Sequence, residues 1–221
     1  MDKTTVLLLG HKSQAGKDTI GGFLSELDFA RVAFADKLKD VVADLYRFSQ
    51  DQMYGALKDV EDARYLNIYD EKYIYRDIAG IGGSGKERVV NPEYKEFFTP
   101  RRMLQIFGQQ QRAMYPDIWA AYAFNTTISE LTKQGYSRFV VTDFRFKNEA
   151  SVAERWAAED SENRKLVTIK IYRPDVVSNT SPSDISEVDL DDYKFEYTLV
   201  NDGTMEQLKE KAIGLVRRVI D

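Results

Sequence analysis

A chain of 221 residues, 43% hydrophobic and 12% aromatic, suits one α/β domain with an inserted subdomain and is short for two full domains. Its net charge of −5 argues against a general grip on nucleic-acid backbone, which needs clustered Lys and Arg. With no cysteine and His11 as the sole histidine, disulfides, zinc–thiolate sites, a cysteine nucleophile and multi-histidine metal centres are excluded.

The apolar run at residues 5–9 is too short for a signal peptide, and no stretch reaches membrane-spanning length, so the cytoplasm is the default compartment. That run predicts a buried parallel strand. It leads into Gly10-His11-Lys12-Ser13-Gln14-Ala15-Gly16-Lys17-Asp18-Thr19, placed where a Walker A loop belongs, between a first strand and a first helix. Loop amides wrap an anion there, the helix N-terminus adds positive potential, and Lys17 reaches the terminal phosphates. Two features depart from the pattern: the first Gly stands one residue too far from Gly16, and Asp18 replaces the usual Ser or Thr. A Mg²⁺ ion would then rely on Asp18 through water or on the Thr19 hydroxyl.

The helix that follows carries Ile20, Phe23, Leu24 and Leu27 on one face. Residues 31–35 predict a second strand and 36–48 a helix, whereas 49–98, rich in Tyr, Asp and Gly, have no regular pattern. Within them Gly80-Ile81-Gly82-Gly83-Ser84-Gly85-Lys86 spells a dinucleotide-type glycine motif. No clear apolar strand precedes it and Pro92 leaves little room for a helix, so it predicts a flexible loop.

Thr99-Pro100 predicts an N-cap and first helical residue. Arg101 and Arg102 then fall in the first turn, where the helix dipole disfavours cations. Arg101, Gln105, Gly108 and Arg112 make a polar strip, with Met103 and Phe107 turned elsewhere. An anionic acceptor held by the arginines would explain the arrangement; two solvated arginines with carboxylate partners are the alternative. A helix over 117–133 precedes the strand 138–142. Asp143 at its end can hold Mg²⁺ or its waters, and Arg145 can neutralise a transferring phosphoryl group; alternatively Asp143 caps the next turn. A helix at 149–158, a strand at 166–172, an acidic stretch at 174–194, a strand at 197–201 and a helix from Thr204 complete the chain. Strands alternating with helices indicate a parallel sheet with helices on both sides.

The ordered motifs GKDT (16–19), RRMLQIFG (101–108), DIW (117–119), DFRFKNEA (143–150), YRP (172–174) and VNDGTMEQL (200–208) together resemble the phage-type deoxynucleoside monophosphate kinases of the P-loop superfamily. The resemblance implies a three-layer P-loop NTPase fold with a five-stranded parallel sheet of order 2-3-1-4-5. A core of residues 1–35 and 137–221 would carry a mostly helical acceptor-binding insertion at 36–136. It implies ATP and Mg²⁺, a deoxynucleoside monophosphate acceptor, no nucleic-acid polymer or membrane partner, and the host cytoplasm if the protein is phage-encoded. A homodimer is compatible with it.

Lys12, Lys39, Arg101, Gly108, Trp119 and Glu149 would lie near the acceptor, and Lys17, Asp143 and Arg145 at the chemistry. Arg173 and the turn Asn201-Asp202-Gly203 would lie near the donor. By residue type alone, Trp119 is a core residue, Lys39 a solvated cation and Asn201–Gly203 a plain turn. Where relatives carry His-x-Ser-Glu this chain has Asp184-Ile185-Ser186-Glu187, and Lys194 is the one basic residue in 174–194, so an arginine-rich lid is not expected. Two competing readings are a kinase for phosphomevalonate or dephospho-coenzyme A, and a nucleotide sensor without transfer; the guanine motif Asn-Lys-x-Asp is absent.

Overall fold

The computed structural model describes residues 3–65, 73–80, 83–90, 97–174 and 185–220. In chain order the elements are β1 (Thr4–Gly10), α1 (Lys17–Leu24), β2 (Ala30–Val32), α2 (Phe34–Tyr46), α3 (Gln50–Tyr54), β3 (Tyr73–Gly80) and β4 (Gly83–Val90). There follow α4 (Pro100–Met114), α5 (Ile118–Tyr122), α6 (Ser129–Lys133), β5 (Arg138–Phe144), α7 (Lys147–Ala158), β6 (Arg164–Tyr172), β7 (Tyr197–Val200) and α8 (Met205–Ile220). A π-helical stretch, Ala123–Ile128, joins α5 to α6.

Five strands form one sheet in the order β2-β5-β1-β6-β7, every pairing parallel. Counted along the chain, those strands stand in the order 2-3-1-4-5. With a phosphate-type loop after the central strand, this is the P-loop NTPase fold. The centre of the sheet explains the unbroken apolar run: Val6, Leu7, Leu8 and Leu9 are all fully buried because both faces are covered. Leu7 and Leu9 share a core with Ile20 and Leu24 of α1 and Leu208, Ala212, Val216 and Val219 of α8. By strand alternation Val6 and Leu8 face the other way. Each fully buried Leu or Val contributes about 1.5–3 kcal/mol. Phe124 packs on Trp156 of α7 at 5.3 Å and on Phe34 at 6.2 Å. The β1–β5 register shifts between Leu8 and Gly10, where the chain leaves the sheet for the loop.

The expected second strand stops at Val32 rather than residue 35. Asp36 accepts the Ala33 N–H at 3.0 Å, and Asp143 accepts those of Phe34 and Ala35, which starts α2 at Phe34. Thr99 caps α4 as its sequence predicts, Oγ1 accepting the Arg102 N–H at 3.1 Å.

The chain divides into two compact units, Met1–Leu38 with Gln111–Asp221, and Lys39–Gln110. Residues 111–136, assigned by sequence to the insertion, fall in the unit that contains the sheet. The 39–110 unit is not only helical. After α3, which opens with a Ser49/Gln52 capping box, it holds the antiparallel hairpin β3–β4. Gly80 pairs with Gly83 at the end of that ladder, with residues 81–82 outside the described residues. Of the predicted flexible loop, Gly80 therefore ends β3 and residues 83–86 open β4. An antiparallel return strand, rather than a helix, follows the glycines, so the glycine motif has no helix N-terminus to offer a pyrophosphate.

Candidate active site

Left-handed backbone at His11 (φ 90°), Gln14 (φ 58°) and Gly16 (φ 100°) curls the β1–α1 loop, the alternation that turns successive N–H groups into an anion nest. A side chain at Gly10 would collide with Phe144 and Phe195, each 2.6 Å from the built Cβ. At Gly16 the Cβ would lie 2.8 Å from Asn201 Nδ2, on top of a positive φ. Asn201 itself donates to the Ala15 carbonyl at 2.9 Å, so the predicted donor-side turn braces the loop directly.

Lys17 opens α1 with only 6% of its surface exposed. Its ammonium donates to the carbonyls of His11 (3.0 Å) and Lys12 (2.5 Å). Burial, and then the nearby Arg145 charge, lower it from 10.5 to about 8. His11 is lowered to about 4 by burial and by Lys170 and Lys12, and is neutral at pH 7.

The two carboxylates considered for Mg²⁺ are placed differently. Asp143 is half-buried, its oxygens accepting from the backbone N–H groups of Phe34 (2.8 Å) and Ala35 (2.9 Å). Burial raises its pKa against those two bonds. These bonds cap the start of α2, not the turn that follows Asp143 as the sequence alternative has it, and they engage both of its oxygens. Asp18 is exposed, accepts from the Thr142 hydroxyl at 2.7 Å, and lies 3.9 Å from Arg31. Among the described residues no three His, Cys, Asp or Glu converge as a metal cage. Mg²⁺ bound to a nucleotide fits such a site, since it keeps several waters and needs only one or two carboxylates besides phosphates. Asp18 is exposed and Thr19 half-buried beside it, so either could hold such an ion.

Arg145 reaches the loop through Glu187, whose Oε1 accepts its Nη1 at 3.1 Å. The same Glu187 takes the Ser13 N–H on Oε2 at 3.0 Å. Lys12 donates to the Glu187 carbonyl (2.8 Å) and to Asp191 (2.7 Å). Glu149, buried, accepts the N–H groups of Arg145 (2.8 Å) and Phe146 (3.0 Å) on one oxygen, which leaves the other to carry a proton. Burial and the Asp143 charge raise it to about 8. Arg112 lies over the Phe146 ring at 5.2 Å, burial lowering its pKa and the Glu149 charge raising it. These residues, with Lys12, form one constellation in the sheet unit.

The remaining expected acceptor residues are not among these. Lys39, Arg101, Arg102, Gln105 and Gly108 belong to the 39–110 unit. Arg101 is paired there with Asp59, Nη2 to Oδ2 at 3.1 Å, and Lys39 sits over the Tyr54 ring at 4.3 Å. The carboxylate-partner alternative thus describes Arg101 in the free protein. In the sheet unit Trp119 is buried, and its Nε1 is the single buried side-chain polar atom without a partner among the described residues. Asp202 pairs with Lys211 at 2.5 Å on the surface, and Arg173 is exposed. The sequence alone does not single out Glu187, Asp191 or Thr142 as site residues; Glu187 stands there only within a departure from a motif. The one available signal was an acidic stretch almost without compensating bases.

No family model matches the chain. It is 28% identical over 217 residues to a protein of Acanthamoeba polyphaga mimivirus named "Putative deoxynucleotide monophosphate kinase", covering 95% of this chain and 94% of that one. Among solved structures, a dephospho-CoA kinase from Campylobacter jejuni aligns over 98% of this chain and 97% of its own at 12% identity and a TM-score of 0.48. An APS kinase from Mycobacterium tuberculosis with AMPPNP and APS aligns over 98% and 99% at 8% identity and 0.44. Scores this low carry no weight for activity; the fold rests on the strand order and the loop. Along nearly its whole length the chain is similar to a protein bearing the name of the family that its motifs resemble.

Proposed function

We propose that this protein is an ATP-dependent kinase that phosphorylates deoxynucleoside monophosphates to diphosphates. The observation that carries the reading is the β1–α1 loop: a curled nest of amides with Lys17 buried at its end and Arg145 one carboxylate away from the Ser13 amide. The name of the mimivirus relative supports the acceptor class.

In this mechanism the loop amides hold the donor phosphates and Lys17 turns from the carbonyls of His11 and Lys12 to the terminal phosphates. Arg145 stabilises the charge of the transferring group. An acceptor phosphate oxygen attacks the γ-phosphorus, the bond to the β–γ bridging oxygen breaks, and ADP leaves with that electron pair. No strong base is required, because the attacking oxygen is already anionic. Asp18 would hold Mg²⁺, which would supply neutralisation of the phosphate charge when bound. The 39–110 unit, with Arg101 and Arg102, is assigned to the acceptor.

A coupled ADP-release assay over the four deoxynucleoside monophosphates, their ribose counterparts, phosphomevalonate and dephospho-coenzyme A tests the reading. Acceptor-dependent ADP with at least one deoxynucleotide is expected. Turnover with either of the last two acceptors alone would reassign the substrate, and ATP binding without any acceptor-dependent ADP would favour a sensor.

A further inference from the structure

Residues 185–192 form an acidic strap whose carboxylates Glu187, Asp189, Asp191 and Asp192 all meet donors from the phosphate loop or the start of α7. Asp189 accepts the Lys147 N–H at 2.7 Å, and Asp192 pairs with the Lys147 ammonium at 2.6 Å. Asp191 pairs with Lys12 at 2.7 Å and lies 3.5 Å from His11 Nε2. Leu190, 3% exposed, anchors the middle of the strap. Tyr193 fixes its end by edge contacts with Phe144 (5.5 Å) and Phe195 (4.9 Å).

Glu187 is the most enclosed of the four, with a side chain 4% exposed. One of its oxygens takes a backbone N–H of the anion nest and the other takes a guanidinium. Those are the donors that a phosphoryl group would use, and the single Ser13 N–H does not serve two anions at full strength. A phosphate brought beside the Glu187 carboxylate would also meet a like charge.

We propose that the strap is an internal competitor for nucleotide phosphate: Glu187 occupies the Ser13 and Arg145 donors in the free protein, and phosphate binding expels it and releases residues 185–192. The proposal rests on the reading of the loop as an ATP site. It has a consequence for order of binding. The strap also holds Lys12, through the Glu187 carbonyl and Asp191. Expulsion of Glu187 by the donor therefore frees a cation for the acceptor.

Calorimetric titration of ATP and of inorganic tripolyphosphate into wild type, Glu187→Gln and a charge-matched control, Glu26→Gln, tests it. Hydrogen exchange of residues 186–192 is followed in parallel. If the strap is open about a tenth of the time, its loss tightens both ligands about tenfold. The control breaks only an exposed pair with Lys209 and should stay within about twofold. Exchange in the strap should accelerate when ATP binds wild type, and should already be fast in free Glu187→Gln. Unchanged or weaker binding by Glu187→Gln, or a strap that becomes more protected with ATP, overturns the proposal alone. Failure of wild type and variant alike to bind either ligand overturns the ATP-site reading and the proposal with it.

Discussion

Asp143 stands where the sequence puts it, at the carboxyl end of β5, and carries a structural task that its local sequence does not show. Its position at the carboxyl end of a central strand suggested a metal ligand, but its oxygens are engaged by the first amides of α2. Asp143→Ala should therefore cost about 0.5–2 kcal/mol as a lost cap, read as a lower Tm without any ligand present. Asp143→Asn, which keeps one acceptor but sets its NH2 against the second N–H, should recover at most part of it. A variant with wild-type Tm and only a metal-dependent defect would contradict the capping role. Gly16 makes a second case. Its positive φ and the 2.8 Å approach of Asn201 predict that Gly16→Ala costs about 1–3 kcal/mol of backbone strain and weakens ATP. Unchanged Tm and unchanged ATP affinity together would show that the loop relaxes freely.

At the level of elements, the sequence was most legible where one pattern had one cause. The β1 run, the buried face of α1 and the Thr99 cap of α4 all appear where periodicity and capping chemistry put them. The hairpin β3–β4 was not legible, because its return strand, Gly-Ser-Gly-Lys-Glu-Arg, lacks β-branched residues and alternation until Val89 and Val90. In the same way the strap is legible only as part of an acidic stretch, since its order comes from pairings with residues far away in the chain. For α4, the arginine pair in the first turn was legible but its partner was not. Arg101 and Asp59 are about half exposed, at 50% and 56%, so their ion pair is worth at most about 1 kcal/mol. Arg101→Ala should leave Tm nearly unchanged while raising the acceptor KM or lowering kcat by about tenfold or more, some 1.4 kcal/mol. ATP affinity without acceptor should not move. Loss of ATP binding with normal acceptor dependence would assign the helix to the donor.

For the molecule as a whole, the buried groups near the loop give stability a defined pH dependence. Glu149 has its folded pKa raised from 4.5 to about 8, so the folded state keeps a proton that the unfolded chain has lost. Its contribution is fully present below 4.5 and is lost as pH rises through about 8. His11, lowered from 6.5 to about 4, acts in the opposite sense between those values, and Lys17, lowered from 10.5 to about 8, does so at higher pH. The window between 6.5 and 8 thus belongs to Glu149 among these three groups. Stability should fall with pH there by denaturant titration, and Glu149→Gln, which can still accept both amides on one oxygen, should flatten that fall; an equal slope in both proteins would mean that Glu149 is ionised in the fold. The central claim is that Lys17 and the curled loop deliver the γ-phosphoryl group of ATP to a monophosphate, and ³¹P NMR of ATP mixed with a deoxynucleoside monophosphate observes it directly. Wild type should form ADP and the deoxynucleoside diphosphate in equal amounts, and Lys17→Ala should do so at least about a hundredfold more slowly, from about 2.7–4 kcal/mol of lost charge stabilisation. ADP and inorganic phosphate with no diphosphate product, or undiminished transfer by Lys17→Ala, would contradict the account.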